Sequence, residues 1–159
     1  MIANLKKADD HYVARFERQL KHPASEIWSF LTENEKLALW FTELRVEDLC
    51  EGGLIKFDMQ DGTFEEMTIT ALQHESVLEF TWAEDSVRFE LYPNSEGCLL
   101  VLNETIRTLT PHTPRDLAGW HVCLDVIQHL LDGTTLESRK AEWNVWYERY
   151  REAISKLGQ

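Results

Sequence analysis

The chain has 159 residues, 43% of them apolar, with six Trp, seven Phe and four Tyr, which suits one domain with a sizeable core. A formal net charge of −12 repels phosphate backbones and anionic membrane surfaces, so nucleic acid is excluded as an expected partner. Three widely spaced cysteines (Cys50, Cys98 and Cys123) with no CxxC pair suit reduced thiols, not a disulfide scaffold.

The first residues carry no apolar stretch of signal-peptide length, and no run approaches the roughly 20 apolar residues of a membrane span. The expectation is a cytoplasmic, monomeric protein without membrane insertion. No linker, repeat or low-complexity tract divides it. Residues 1–11 are polar and expected to be flexible, followed by a single domain over 12–157.

"YVARFERQL" from Tyr12 alternates Tyr12, Ala14, Phe16 and Arg18 against Val13, Arg15, Glu17 and Gln19, which predicts a strand. "HPASEIWSFL" places Pro23 at a first helical turn and spaces Ile27, Phe30 and Leu31 as one helical face. Asn34 is placed to cap a second short helix carrying Leu37, Trp40 and Phe41. From 44 to 107 short alternating runs are separated by turn signals: "EGG" (51–53), "QDGT" (60–63), "QHES" (73–76), "AEDS" (83–86) and "PNSEG" (93–97). Asp61-Gly62 is the strongest hairpin signal, since Gly tolerates the positive φ of a tight turn. An antiparallel meander follows, with strands near 44–49, 54–60, 63–72, 76–83, 86–92 and 98–107. Its greasier faces carry Leu78, Phe80 and Trp82, then Val87, Phe89 and Leu91. The last strand offers Leu100, Leu102, Glu104 and Ile106 on one side. A sheet apolar on one face needs a cover. The helical period returns over about 114–132, ended by Gly133, and again over 137–157, where Trp143, Trp146, Tyr147, Tyr150, Ile154 and Leu157 form a stripe.

"GWHVCLDVIQHLLDG" (119–133) sets His121, Asp125 and His129 four residues apart. At 100° per residue these share a narrow polar arc, while Trp120, Leu124, Ile127 and Leu131 lie on the apolar side. The polar arc reads as a solvated face. Three ligands at that spacing would span about 12 Å of helix, so no metal is expected; His121 with Asp125, or Asp125 with His129, is at most a weak surface site. The apolar face is either core or the lid of a pocket.

Four stretches carry a resemblance: "HPASEIWSFLTENEKLALWF" (22–41), "EGG" with "IKF" (51–57), "VLEFTWA" (77–83) and "AGWHVCLDVIQHLLDG" (118–133). Together, and in this order of elements, the chain resembles the START-like (SRPBCC) superfamily, in its branch named for the activator of the Hsp90 ATPase (AHSA1-type domain). The resemblance implies an α+β helix-grip (START-like, Bet v 1-like) fold. A curved antiparallel sheet of six to seven strands would grip a long C-terminal helix, with two short helices after the first strand. It also implies a cavity between sheet and helix. Many relatives place a His where this chain has Glu104, so a role tied to that His does not carry over.

Glu104 shares a strand face with Leu100 and Leu102. A carboxyl there would be desolvated and its pKa raised, suited to anchoring a polar ligand group or to general acid–base work. The competing reading pairs it with Arg88 or Arg107, or tilts it into water. Glu65 and Glu66 point to opposite faces and cannot act together. No HExxH, GxSxG, P-loop or GxGxxG motif occurs. The expected function is binding of a small, largely hydrophobic ligand, lipid-like or aromatic, without a cofactor. Trp40, Phe57, Met67, Trp82, Phe89, Leu102, Trp120 and Leu124 would form the walls and Glu104 the polar contact. Core packing competes with that role for Trp40, Trp82 and Trp120. Alternatives are a chaperone partner, which the family resemblance suggests, and a cyclase- or hydrolase-type enzyme using Glu104.

Overall fold

A computed structural model describes residues 2–157. Its elements in chain order are β1 (Asn4–Lys7), β2 (Tyr12–Leu20), α1 (Ala24–Thr32), α2 (Asn34–Trp40), β3 (Leu44–Val46), β4 (Leu54–Asp58), β5 (Phe64–Gln73), β6 (Val77–Trp82), β7 (Asp85–Asn94), β8 (Gly97–Ile106), α3 (Thr113–Asp132) and α4 (Arg139–Leu157). The strands form one eight-stranded antiparallel sheet in the order β1-β2-β8-β7-β6-β5-β4-β3. The fold is α+β and helix-grip-like: the curved sheet wraps α3, and α4 packs on the outer side of α3. No helix among the described residues is long and apolar enough to cross a membrane.

Short connections join β4 through β8, so each strand pairs with its neighbour in sequence. The long return from β2 places it beside β8, where Phe16 faces Leu102 and Ala14 faces Glu104. A register shift between Ile69 and Ala71 interrupts the β5–β6 ladder. Such bulges sharpen local twist and help a sheet curve. At the β7–β8 turn a Cβ on Gly97 would collide with the Leu20 carbonyl oxygen, so only glycine lets β2 approach. Gly133 takes φ 73° and closes α3.

Several expectations are corrected. Residues 4–7, expected to be flexible, form the edge strand β1 on β2, and Ala3 is buried. This adds a strand beyond the six or seven expected. The Ala3 N–H donates to the Tyr150 hydroxyl at 2.8 Å, so α4 holds the first residues by a contact no local pattern reveals. Asn34 lies inside α2 and does not cap it. Its side-chain amide donates to Val46 O at 2.9 Å and accepts the Val46 N–H at 2.7 Å, which fixes α2 against β3. The β4–β5 turn takes positive φ at Gln60 and Gly62 but not at Asp61, a longer connection than a tight two-residue turn.

The polar arc of α3 is solvated only in part. His121 is 1% exposed and its ring stacks on Trp146 with centroids 3.8 Å apart, covered by the stripe on α4. Asp125, Gln128 and His129 are half-exposed and Asp132 is exposed, so the arc opens to solvent beyond the part that α4 covers.

Candidate functional site

The inner face of the grip is filled mainly by rings. Phe41, at the end of α2, packs against Trp40, Phe57, Trp82 and Trp120 with centroids 5.6–6.0 Å apart. Trp82 and Trp120 meet at 5.0 Å, and Phe89 lies 6.0 Å from Trp120. Most of these pairs are edge-on or tilted, the geometry that matches positive ring edges to negative faces. Trp40, Phe57, Met67, Phe89, Leu102 and Leu124 pack in this core or against it. Trp82 and Trp120 also border openings at its rim. One, of about 210 Å³, is lined by Phe41, Trp82, Asp116, Trp120, Arg139 and Trp143 among others. The other, of about 220 Å³, lies across Trp82 and Asp116, towards Asp85, Ile106 and Thr113. Among the described residues, rings fill the centre between sheet and helix and space remains at its edge.

Asp116 joins the two openings. It stands one helical turn before Trp120 on α3, so both side chains reach the same side. Its Oδ1 accepts the Trp82 indole N–H at 2.8 Å. The Trp40 N–H is likewise satisfied, donating to Phe30 O at 2.7 Å. The Trp120 N–H is not: Trp120 is 2% exposed and its Nε1 has no hydrogen-bond partner in the protein.

Glu104 is inward and fully buried, at 0% exposure. No N–H or O–H donor of another residue reaches either carboxyl oxygen; in its protonated form Glu104 shares a hydrogen bond with the Asp116 side chain. Neither arginine weighed as its partner reaches it. Arg88 pairs with Glu90 at 2.8 Å and Glu79 at 3.3 Å, while Arg107 offers its backbone N–H to Asp85 at 2.9 Å. Burial raises the Glu104 pKa well above the ordinary carboxylate range, and the neighbouring carboxyls of Asp116 and Asp85 push it the same way. Asp85 is also raised, chiefly by burial, against the lowering effect of the Arg107 N–H.

Of the three residues weighed as weak metal ligands, His121 Nε2 and Asp125 Oδ2 lie 3.6 Å apart, and each of the three also has another protein partner. His121 Nδ1 lies 2.7 Å from the Tyr150 hydroxyl. Asp125 accepts from Arg18 Nε at 3.0 Å, and His129 Nδ1 lies 2.7 Å from Thr134 Oγ1. Among the described residues no three His, Cys, Asp or Glu side chains converge as metal ligands would. Cys123 is buried and its thiol is pushed up to about 12, mainly by burial, which makes it a poor nucleophile.

Sequence reasoning missed Phe41 as a ring contact, missed Asp116 and Arg139 altogether, and placed Trp143 on the helical stripe but not at the site. Phe41 was visible as part of the helical face with Leu37. Asp116 could have been found from its i, i+4 spacing to Trp120. Nothing local brought Arg139 or Trp143 to the rim, because α4 reaches it only through its packing on α3.

Several solved structures share this architecture. A conserved protein of unknown function from Enterococcus faecalis, EF2215, superposes with a TM-score of 0.86 at 26% identity, covering 98% of this chain and 91% of that one. The protein encoded by BPP1335 from Bordetella parapertussis matches at a TM-score of 0.72 and 21% identity, over 95% of this chain and 90% of its own. CalU16 from Micromonospora echinospora matches at 0.67 and 20%, over 89% and 86%. No curated protein matches the sequence. Residues 21–132, from the end of β2 to the end of α3, match the family described as activator of Hsp90 ATPase homolog 1-like protein, and the chain belongs to that family.

Proposed function

We propose that this protein binds a small, largely apolar ligand at the rim of the grip, between Trp82 on the sheet and Trp120 on α3. The ligand's apolar body lies against Phe41, Trp82 and Trp120. The observation that carries this reading is the buried Trp120 indole N–H, whose Nε1 has no partner. Leaving such a group unsatisfied costs about 1–3 kcal/mol, and native interiors satisfy nearly all of them. Its retention in a ring that borders an opening fits a site whose polar contact is completed by a guest. Glu104 stands behind Asp116, which borders both openings, and burial pushes it towards its neutral form. The family's fold is compatible with ligand binding. The openings, each below the roughly 300 Å³ of ordinary small-molecule pockets, favour a one- or two-ring compound over a long lipid.

Calorimetric titration of the purified protein with 1-naphthol, a flavonoid and a medium-chain fatty acid tests this. The expected result is saturable 1:1 binding of the compact aromatic compound, weakened at least tenfold in Trp120→Ala. Absence of binding across the set, or binding indifferent to Trp120, contradicts it.

A further inference from the structure

Resting on that reading, we infer that the ligand carries an anionic, acceptor-rich group such as a carboxylate, which Arg139 receives at the mouth of the opening. Arg139 is the first residue of α4 and lines the opening bordered by Phe41, Trp82, Trp120 and Trp143. Its Nη2 donates to Trp40 O at 2.7 Å and lies 3.3 Å from Cys123 Sγ. Those contacts aim the guanidinium inward across the end of α2. Among the described residues no carboxylate lies within ion-pairing distance of it. Its Nε and Nη1 have no acceptor there either.

A guanidinium carries five N–H donors in a planar fork suited to a carboxylate. With Nη2 already engaged, the N–H groups on Nε and Nη1 remain for a ligand. Trp120, which borders the same opening, carries a second unpaired donor, its buried indole N–H. Two unpaired donors beside aromatic walls describe a guest with a flat apolar body and an oxygen-rich end. Two carboxyls share the lining, Glu43 and Asp116. Asp116 is engaged by the Trp82 N–H at 2.8 Å, so its acceptor is directed at the sheet. Both carboxylates oppose an anion, so the carboxylate end of the guest is placed at Arg139, at the mouth, and not deeper beside Asp116. Arg139 and Trp143 lie beyond residues 21–132, the part matched by the family. The selectivity proposed here therefore comes from the chain's own α4 and not from the portion shared across that family.

The test compares 1-naphthoate with 1-naphthamide, which match in shape and differ in charge, by calorimetry on the full chain. Naphthoate is expected to bind at least fivefold more tightly than naphthamide, with the advantage shrinking as salt rises. In Arg139→Gln the two compounds should converge, and a native-like melting temperature and circular-dichroism spectrum of the variant show that the fold is intact. Trp120→Phe should reduce the advantage in part. Equal binding of the two to the native protein overturns the role of Arg139 but leaves the apolar site standing. So does a preference that survives Arg139→Gln, or tighter binding of 1-naphthylmethylamine. Failure of all three to bind the native protein removes the site itself, and this inference with it.

Discussion

Trp82 and Asp116 tie the sheet to the gripped helix through one hydrogen bond, 2.8 Å from Nε1 to Oδ1. It is the polar seam between the two openings and it holds Asp116 near Glu104. Asp116→Ala should cost about 1–3 kcal/mol, because the half-buried indole N–H loses its acceptor. Asp116→Asn keeps a carbonyl acceptor and should cost less. Urea unfolding of the two variants checks the order.

Asp116→Asn also removes a charge that helps to raise Glu104. The Glu104 carboxyl should then titrate at lower pH than in the native protein, yet still above the ordinary carboxylate range, because burial remains. Carbon-13 NMR of the Glu104 carboxyl across pH reads both shifts.

Glu104 itself sets a pH dependence of stability. Its folded pKa is raised, so its contribution is fully present below the usual carboxylate pKa and is lost as pH rises through the folded value. Glu104→Met removes that loss. It also replaces a buried carboxyl beside Asp116 with an apolar side chain, and should stabilise the fold by about 1–3 kcal/mol at neutral pH. The gain should widen at alkaline pH. A stabilised variant with impaired ligand binding is the pattern of a site kept at a cost in stability.

His121 acts on the acid side. Burial, assisted by Arg18 and Arg149, lowers its pKa from 6.5 to about 3. Its contribution is complete above 6.5 and is lost as pH falls towards 3, since the unfolded chain takes up the proton first. The full loss is on the order of 5 kcal/mol, roughly 3 kcal/mol of it by pH 4. His121→Phe should be less stable than native at pH 7 by about 1 kcal/mol, through the lost Tyr150 contact, and more stable at pH 4. Thermal unfolding at the two pH values shows whether the order reverses.

Ala83 occupies the left-handed region at φ 54° in the β6–β7 turn. A Cβ is disfavoured there, so Ala83→Gly should raise stability by up to about 1 kcal/mol despite the added freedom of the unfolded chain. The melting temperature is the readout.

The sheet and the gripped helix were legible because their periods differ. Alternation in "VRFELY" and "SVLEFTWA" set each strand's inner face, and the run around Trp120 set the apolar side of α3. The inward position of Glu104 followed from counting in twos along β8. What stayed hidden depends on distant packing. The polar arc at His121 had the composition of a wet surface, and only the docking of Trp146 and Tyr150 from α4 made it interior. Residues 4–7 are too few and too polar to announce a strand without β2 beside them. Trp40, Met67 and Leu102 were expected as pocket walls. They are buried in the core, because a face pattern tells which way a side chain points and not whether space remains in front of it.

The most direct test of the proposed site is a proton–nitrogen NMR titration of the indole resonances with 1-naphthol. The site described here predicts that the Trp120 and Trp82 N–H signals shift together and saturably, with the Glu104 carboxyl following. A wider surface groove of about 860 Å³ lies between β1 and the end of α4, lined by residues including Ile2, Leu5 and Ala153. Shifts confined to those residues, with Trp120 and Trp82 unmoved, would contradict it.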